Sequence, residues 1–206
     1  MATNRAGNRS RPGIIVGVEI LFDDVVIRRA TTGEEETILD LLAEAAAWLH
    51  GRGIDQWPVR FPAEPVRRQI AAGEAYLVSR AGRPIATVAV AESDPAIWGV
   101  DSEPAYYVGR LAVSRSAAGL RLGYRVLDWV EARAGGRGWR RVRLATASDN
   151  AALQGYYERV GFVHVADPLY APWPTWLYER EVREVRVSRS TSAGGSWASG
   201  NVGPSR

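Results

Sequence analysis

The chain has 206 residues and a formal net charge of +3, with no cysteine and two histidines, His50 and His164. This excludes a disulfide framework, a thiolate zinc site, a cysteine nucleophile and a histidine-rich metal centre, so no metal is expected. Every basic side chain is arginine, and many cluster near the two ends without the aromatic interleaving of a nucleic-acid stacking platform. No stretch is apolar for the ~20 residues of a membrane span and the start lacks a signal layout, so the expectation is a cytoplasmic domain with no membrane or nucleic-acid partner.

In chain order, residues 1–23 read as a largely disordered N-terminal extension, within which Ile14 to Phe22 is apolar enough for a short extra strand. Residues 24–186 form the expected domain, and 187–206, rich in Ser, Gly and Arg, a disordered tail. Asp24 to Ala30 alternates as a strand. Thr32 with Glu35 has the form of a capping box for a helix that buries Ile38, Leu41, Leu42, Ala45 and Leu49 and stops at Gly51 or Gly53. After the loop carrying Gln56 and Trp57, a short helix spans about Ala63 to Ala72.

Glu74 to Arg80 and Pro84 to Ala91 then form a hairpin around Ala81, Gly82 and Arg83, and Asp94 to Glu103 reads as a loop. Tyr107 to Val113 is an apolar strand followed by a polar turn and an amphipathic helix from Gly123 to Ala134. The remaining elements are a strand at Arg141 to Ala145, a helix capped by Asp149 or Asn150, and strands at Phe162 to Ala166 and Thr175 to Val182.

The junction of strand, glycine-bearing loop and helix start at Tyr107 to Tyr124 favours anions, because the first helical N–H groups have no intrahelical acceptor and the dipole points the same way. The six positions Ala118, Gly119, Leu120, Arg121, Leu122 and Gly123, after Leu111, Ala112 and Val113, resemble the acetyl-coenzyme A loop of the GNAT N-acetyltransferases, Arg/Gln-x-x-Gly-x-Gly/Ala. Ala118 replaces the usual Arg or Gln, and Arg121 replaces the middle Gly. Downstream, Asn150 followed by Tyr156-Tyr157-Glu158-Arg159-Val160-Gly161-Phe162 is similar to the second motif of that family, in the family's order and spacing.

The resemblance implies an α/β (α+β) fold: a mixed, mostly antiparallel twisted sheet of about seven strands, about four flanking helices, and a V-shaped cleft between the central strands. It also implies acetyl-coenzyme A as cosubstrate, an amine acceptor on a small molecule or protein, cofactor contacts from residues 111–113, 118–124 and Asn150, and Tyr157 as proton donor to the leaving thiolate. Tyr157 also suits packing on the apolar face it shares with Leu153 and Val160, and Asn150 suits a helix cap. On the substrate side, Gln56, Trp57 and Glu103 are candidates; Asp101, Glu103 or an ordered water chain can act as base. His50 can be acid, base or ligand, or a helix-end partner of the dipole. Trp173 and Trp176 suit a homodimer contact. The rival reading is a non-catalytic coenzyme A-binding or sensing module whose loop is degraded at Ala118 and Arg121.

Overall fold

The two-residue turn Ala81–Gly82, with φ of 47° and 76°, shows how directly the sequence dictates the sheet. Positive φ at both central residues gives the turn the twist that flanking strands need. In the computed structural model, which describes residues 17–100, 103–168, 171 and 173–183, this turn joins β3 (Ala75–Arg80) to β4 (Arg83–Ala91). The other elements are β1 (Val18–Phe22), β2 (Val25–Arg29), α1 (Glu35–His50), α2 (Ala63–Ala71), α3 (Pro95–Trp98), β5 (Ala105–Val113), a 3-10 turn (Arg115–Ala117), α4 (Leu122–Gly136), β6 (Arg141–Ala147), α5 (Ala151–Arg159), β7 (Val163–Ala166) and β8 (Thr175–Glu181).

The strands form one 8-stranded sheet in the order β1-β2-β3-β4-β5-β6-β8-β7, antiparallel throughout except for the parallel pair β5–β6. Central strands β3 and β4 are buried on both faces, as their unbroken apolar runs require. On one face, Tyr76, Val78, Tyr106 and Val108 pack with Val126, Val130, Tyr157 and Phe162 of the α4–α5 side. On the other, Leu77 and Ala112 pack with Leu39, Leu42, Val66 and Ile70 of α1 and α2. Each fully buried side chain of this size contributes about 1.5–3 kcal/mol relative to exposure.

The mixed sheet and flanking helices agree with the expected architecture, with two additions. The apolar segment ending at Phe22 is a strand: β1 pairs with β2, and Glu19 reaches α4 through Trp129 Nε1 at 2.9 Å and Arg133 Nη1 at 2.7 Å. The sheet therefore includes residues from the expected N-terminal extension. Within the stretch expected as a loop, Pro95–Trp98 forms the single turn α3, with Pro at its first position.

The start of α1 also differs. Glu34, not Thr32, occupies the N-cap position, and its carboxylate turns back to accept from Thr31 N at 2.7 Å and from Arg28 at 2.6 and 2.8 Å. The expected disordered ends at residues 1–16 and 187–206, and Asp101, lie outside the described residues. No helix among the described residues is long and apolar enough to cross a membrane.

Candidate active site

β5 keeps its pairing with β4 as far as Val113, but its ladder to β6 stops at Val108↔Leu144. β6 continues to Ala147, now paired only with β8. The cause is local. Between the pairs Ala89↔Gly109 and Thr87↔Ala112, β5 carries one more residue than β4, and Arg110 takes a left-handed φ of 49°. Such a bulge bends the strand that contains it. The two parallel strands thus splay, and the main chain of β5 beyond Val108 has no ladder partner on the β6 side.

The chain leaves the splay through a tied turn. Ser114 Oγ accepts from Ser116 N at 3.2 Å, and Glu44 of α1 accepts from Arg115 N at 2.7 Å and Ser114 Oγ at 3.2 Å. Gly119 follows with φ 86° and open space where a Cβ would project, and Arg121 adopts φ 51° as the N-cap of α4. The N-cap side chain makes no capping bond, so the N–H groups of the first turn, at Leu122, Gly123 and Tyr124, are left to an external acceptor. This fits a diphosphate-bearing cofactor.

Arg121 is exposed, its guanidinium 4.9 Å from the centre of the Tyr124 ring. Gly123 has a second reason to be glycine: a Cβ there would sit 2.4 Å from the Tyr156 hydroxyl. Leu111, Val113 and Leu120 pack at the edge of the α4–α5 core, whereas Ala112 points into the α1–α2 core.

On the opposite wall, Asn150 is buried and caps α5, its Oδ1 accepting from Leu153 N at 3.1 Å. Its Nδ2 donates to Gln56 Oε1 at 2.7 Å. The 54–57 loop that carries Gln56 is held by His50, whose Nε2 contacts Trp57 O at 2.8 Å. Trp57 itself packs edge-on against Phe61, ring centres 5.5 Å apart, beside the α1–α2 core. Tyr157 lies among Tyr156, Phe162 and Tyr178, and burial pushes its phenol up to about 12.

Glu103 lies before β5, at the end where β5 and β6 are still bonded, 3.7 Å from Arg141 Nε and 3.9 Å from Arg143 Nη2. It borders a hollow of about 190 Å³ shared with Asp94, Gly99 and Tyr107. Asn150 and Gln56 meet just after the end of β6, Tyr157 packs in the core that includes Val108 and Leu144, and Glu103 flanks the end where the β5–β6 ladder is closed. Arg110, Gln69, Phe61 and Asp94 on the α2 face were not anticipated. The available signal was Gly109-Arg110, a polar break inside the apolar run of β5.

A sequence model described as the Acetyltransferase (GNAT) family matches residues 41–162. The chain belongs to the GNAT acetyltransferase family. It is 33% identical over 152 residues to YesJ of Bacillus subtilis (strain 168), an uncharacterized N-acetyltransferase, an alignment covering 70% of this chain and 84% of that protein. A GNAT-family acetyltransferase from Listeria monocytogenes 4b F2365 superposes with a TM-score of 0.65 at 25% identity, covering 76% of this chain and 94% of that one. The PaiA N-acetyltransferase from Thermoplasma acidophilum, solved in complex with coenzyme A, shares the fold with a TM-score of 0.59 at 13% identity, covering 77% of this chain and 99% of its own. This GNAT chain is an acetyl-transferring enzyme.

Proposed function

We propose that this enzyme transfers the acetyl group of acetyl-coenzyme A to a primary amine, with the cofactor laid along the β5–β6 splay. The observation that carries this reading is the early end of the β5–β6 ladder, which leaves main chain at Gly109 to Val113 available to an extended ligand. The N–H groups of Leu122, Gly123 and Tyr124 and the Arg121 guanidinium would receive the diphosphate. Leu111 to Val113 would pair with the amide-bearing arm, and Asn150 would flank it from α5.

When bound, acetyl-coenzyme A supplies an activated thioester. Main-chain N–H groups of β5 stabilise the negative charge that gathers on the acyl oxygen. Tyr157 donates its phenolic proton to the departing sulfur and regains one from the proton that the attacking nitrogen gives up. On the acceptor side, Asp94 and Glu103 line the hollow from which an ammonium approaches. Burial raises the Asp94 carboxyl above its ordinary value, which suits it to accept a proton.

Calorimetric titration with acetyl-coenzyme A, followed by thiol release across an amine panel, tests the proposal. Expected is micromolar binding, roughly −8 kcal/mol, with thiol released only when an amine is present. Absence of binding overturns it.

A further inference from the structure

Arg110 is an unusual residue in an unusual place. It occupies the bulge of β5 with a φ of 49°, a conformation that costs an L-residue about 1 kcal/mol and that glycine adopts freely. Its guanidinium is half-buried between β5 and α2, where Nη1 donates to the Gln69 amide oxygen and the group lies 5.6 Å from the Phe61 ring centre. The two arginines buried deepest in this sheet are matched by carboxylates: Arg143 by Glu179 at 2.7 Å, Arg180 by Glu131 at 2.8 Å. Arg110 has no ion pair among the described residues.

A guanidinium offers five N–H donors, and a neutral amide oxygen and an aromatic face satisfy little of that capacity. A desolvated charge without a counter-charge is costly to hold, and the direction of its pKa agrees: burial and the nearby Arg68 charge both pull it below the ordinary arginine range. The opposing charge of Asp94 acts on it without forming an ion pair. Asp94 belongs to the hollow bordered by Glu103 and Tyr107, on the same side of the sheet. Next to the bulge, Gly109 is exposed, with open space where a side chain would stand. The acceptor face thus pairs a carboxylate-lined hollow with a neighbouring unneutralised arginine.

We infer that the acetyl acceptor is an amine that also carries a carboxylate, of the amino-acid class, and that Arg110 receives that carboxylate while Asp94 and Glu103 draw in the ammonium. The inference rests on the acetyl-transfer reading of the same cleft. A planar carboxylate matches the fork of a guanidinium with two parallel hydrogen bonds, which a carboxamide does not reproduce.

The test is thiol release from acetyl-coenzyme A with the proteinogenic amino acids and their carboxamides, rates expressed per neutral amine because amidation lowers the amine pKa. For the accepted side chain, kcat/KM for the carboxylate should exceed that for the carboxamide by about 10-fold or more. Arg110→Gln should remove the gap by slowing only the carboxylate, and Arg110→Lys should keep part of it. Equal kcat/KM for the two forms in the unaltered enzyme overturns the inference, as does an Arg110→Gln variant that slows both forms alike. If no amine releases thiol, the acetyl-transfer reading fails, and binding decides this one separately. Titrating the same pairs while following the arginine side-chain NMR signals should show a carboxylate-dependent shift that Arg110→Gln abolishes; no such shift counts against Arg110.

Discussion

Asn150 and Gln56, 94 positions apart, share a hydrogen bond of 2.7 Å that joins the cap of α5 to the loop after α1. The same Asn150 side chain serves the helix through Oδ1 and the loop through Nδ2. Asn150→Ala removes both contacts and leaves the Leu153 N–H without its cap, so it should cost about 1–2 kcal/mol in chemical denaturation. Asn150→Asp keeps the cap acceptor but loses the donor to Gln56 and buries a carboxylate against Gln56 Oε1, so it should also cost about 1–3 kcal/mol, and it should lower acetyl-coenzyme A affinity in calorimetry if the amide also serves the cofactor. A double-mutant cycle with Gln56→Ala should return a coupling of about 0.5–1.5 kcal/mol.

Tyr157→Phe should lower kcat by about 100-fold or more while leaving acetyl-coenzyme A affinity within about 2-fold, as for loss of a general acid. Unchanged kcat at saturating substrates would remove Tyr157 from the acid role. Its pKa also makes a stability claim. Burial raises it from 10.0 to about 12, so the folded state favours the neutral phenol. The contribution is complete below pH 10 and is lost as pH rises through about 12. Denaturation midpoints across that window should fall more steeply for the unaltered protein than for Tyr157→Phe.

Gly123→Ala places a methyl 2.4 Å from the Tyr156 hydroxyl, whose ring is held at 4.9 Å from Tyr124 and 5.3 Å from Tyr157. The variant should lose about 1–3 kcal/mol. Adding Tyr156→Phe removes the clashing oxygen and should restore most of the loss. Failure of that rescue would show that Gly123 serves only its backbone.

Glu34 gives the acid side of the profile. The paired Arg28 guanidinium leads, with the Thr31 N–H and hydroxyl, in holding its carboxyl down at about 2 against an ordinary 4.5, in spite of the opposing effect of partial burial. A depressed folded pKa stabilises above pH 4.5 and ceases to do so as pH falls through about 2. Glu34→Gln should therefore cost about 1 kcal/mol at neutral pH, after allowance for solvent screening, and the deficit should shrink through that window.

Much of this was legible in the sequence because it is local. Helical periodicity located α1, α2, α4 and α5, and the glycine loop and the Asn150–Tyr157 segment carried their meaning in consecutive residues. What escaped was pairwise across the chain. The apolar segment before Asp23 has the composition of a short strand, but its place in the sheet is set by the edge that β2 offers it. Thr32 has the form of a cap, but Glu34 is drawn away by Arg28 from a different element. Gln56 looks like a free substrate ligand until Asn150 meets it. Gly109-Arg110 is a polar break in the run of β5, but only the register against β4 reveals it as a bulge.

Among the described residues, the four-pair parallel ladder from Ala105↔Arg141 to Val108↔Leu144 is the only strand pairing that joins the β1–β5 meander to the β6–β8–β7 unit. A ligand bonded along the splay acts as a rivet across this seam. Its affinity is then also a mechanical property: opening the seam forfeits the ligand's free energy together with the ladder's, and resistance to unfolding rises with the logarithm of ligand concentration.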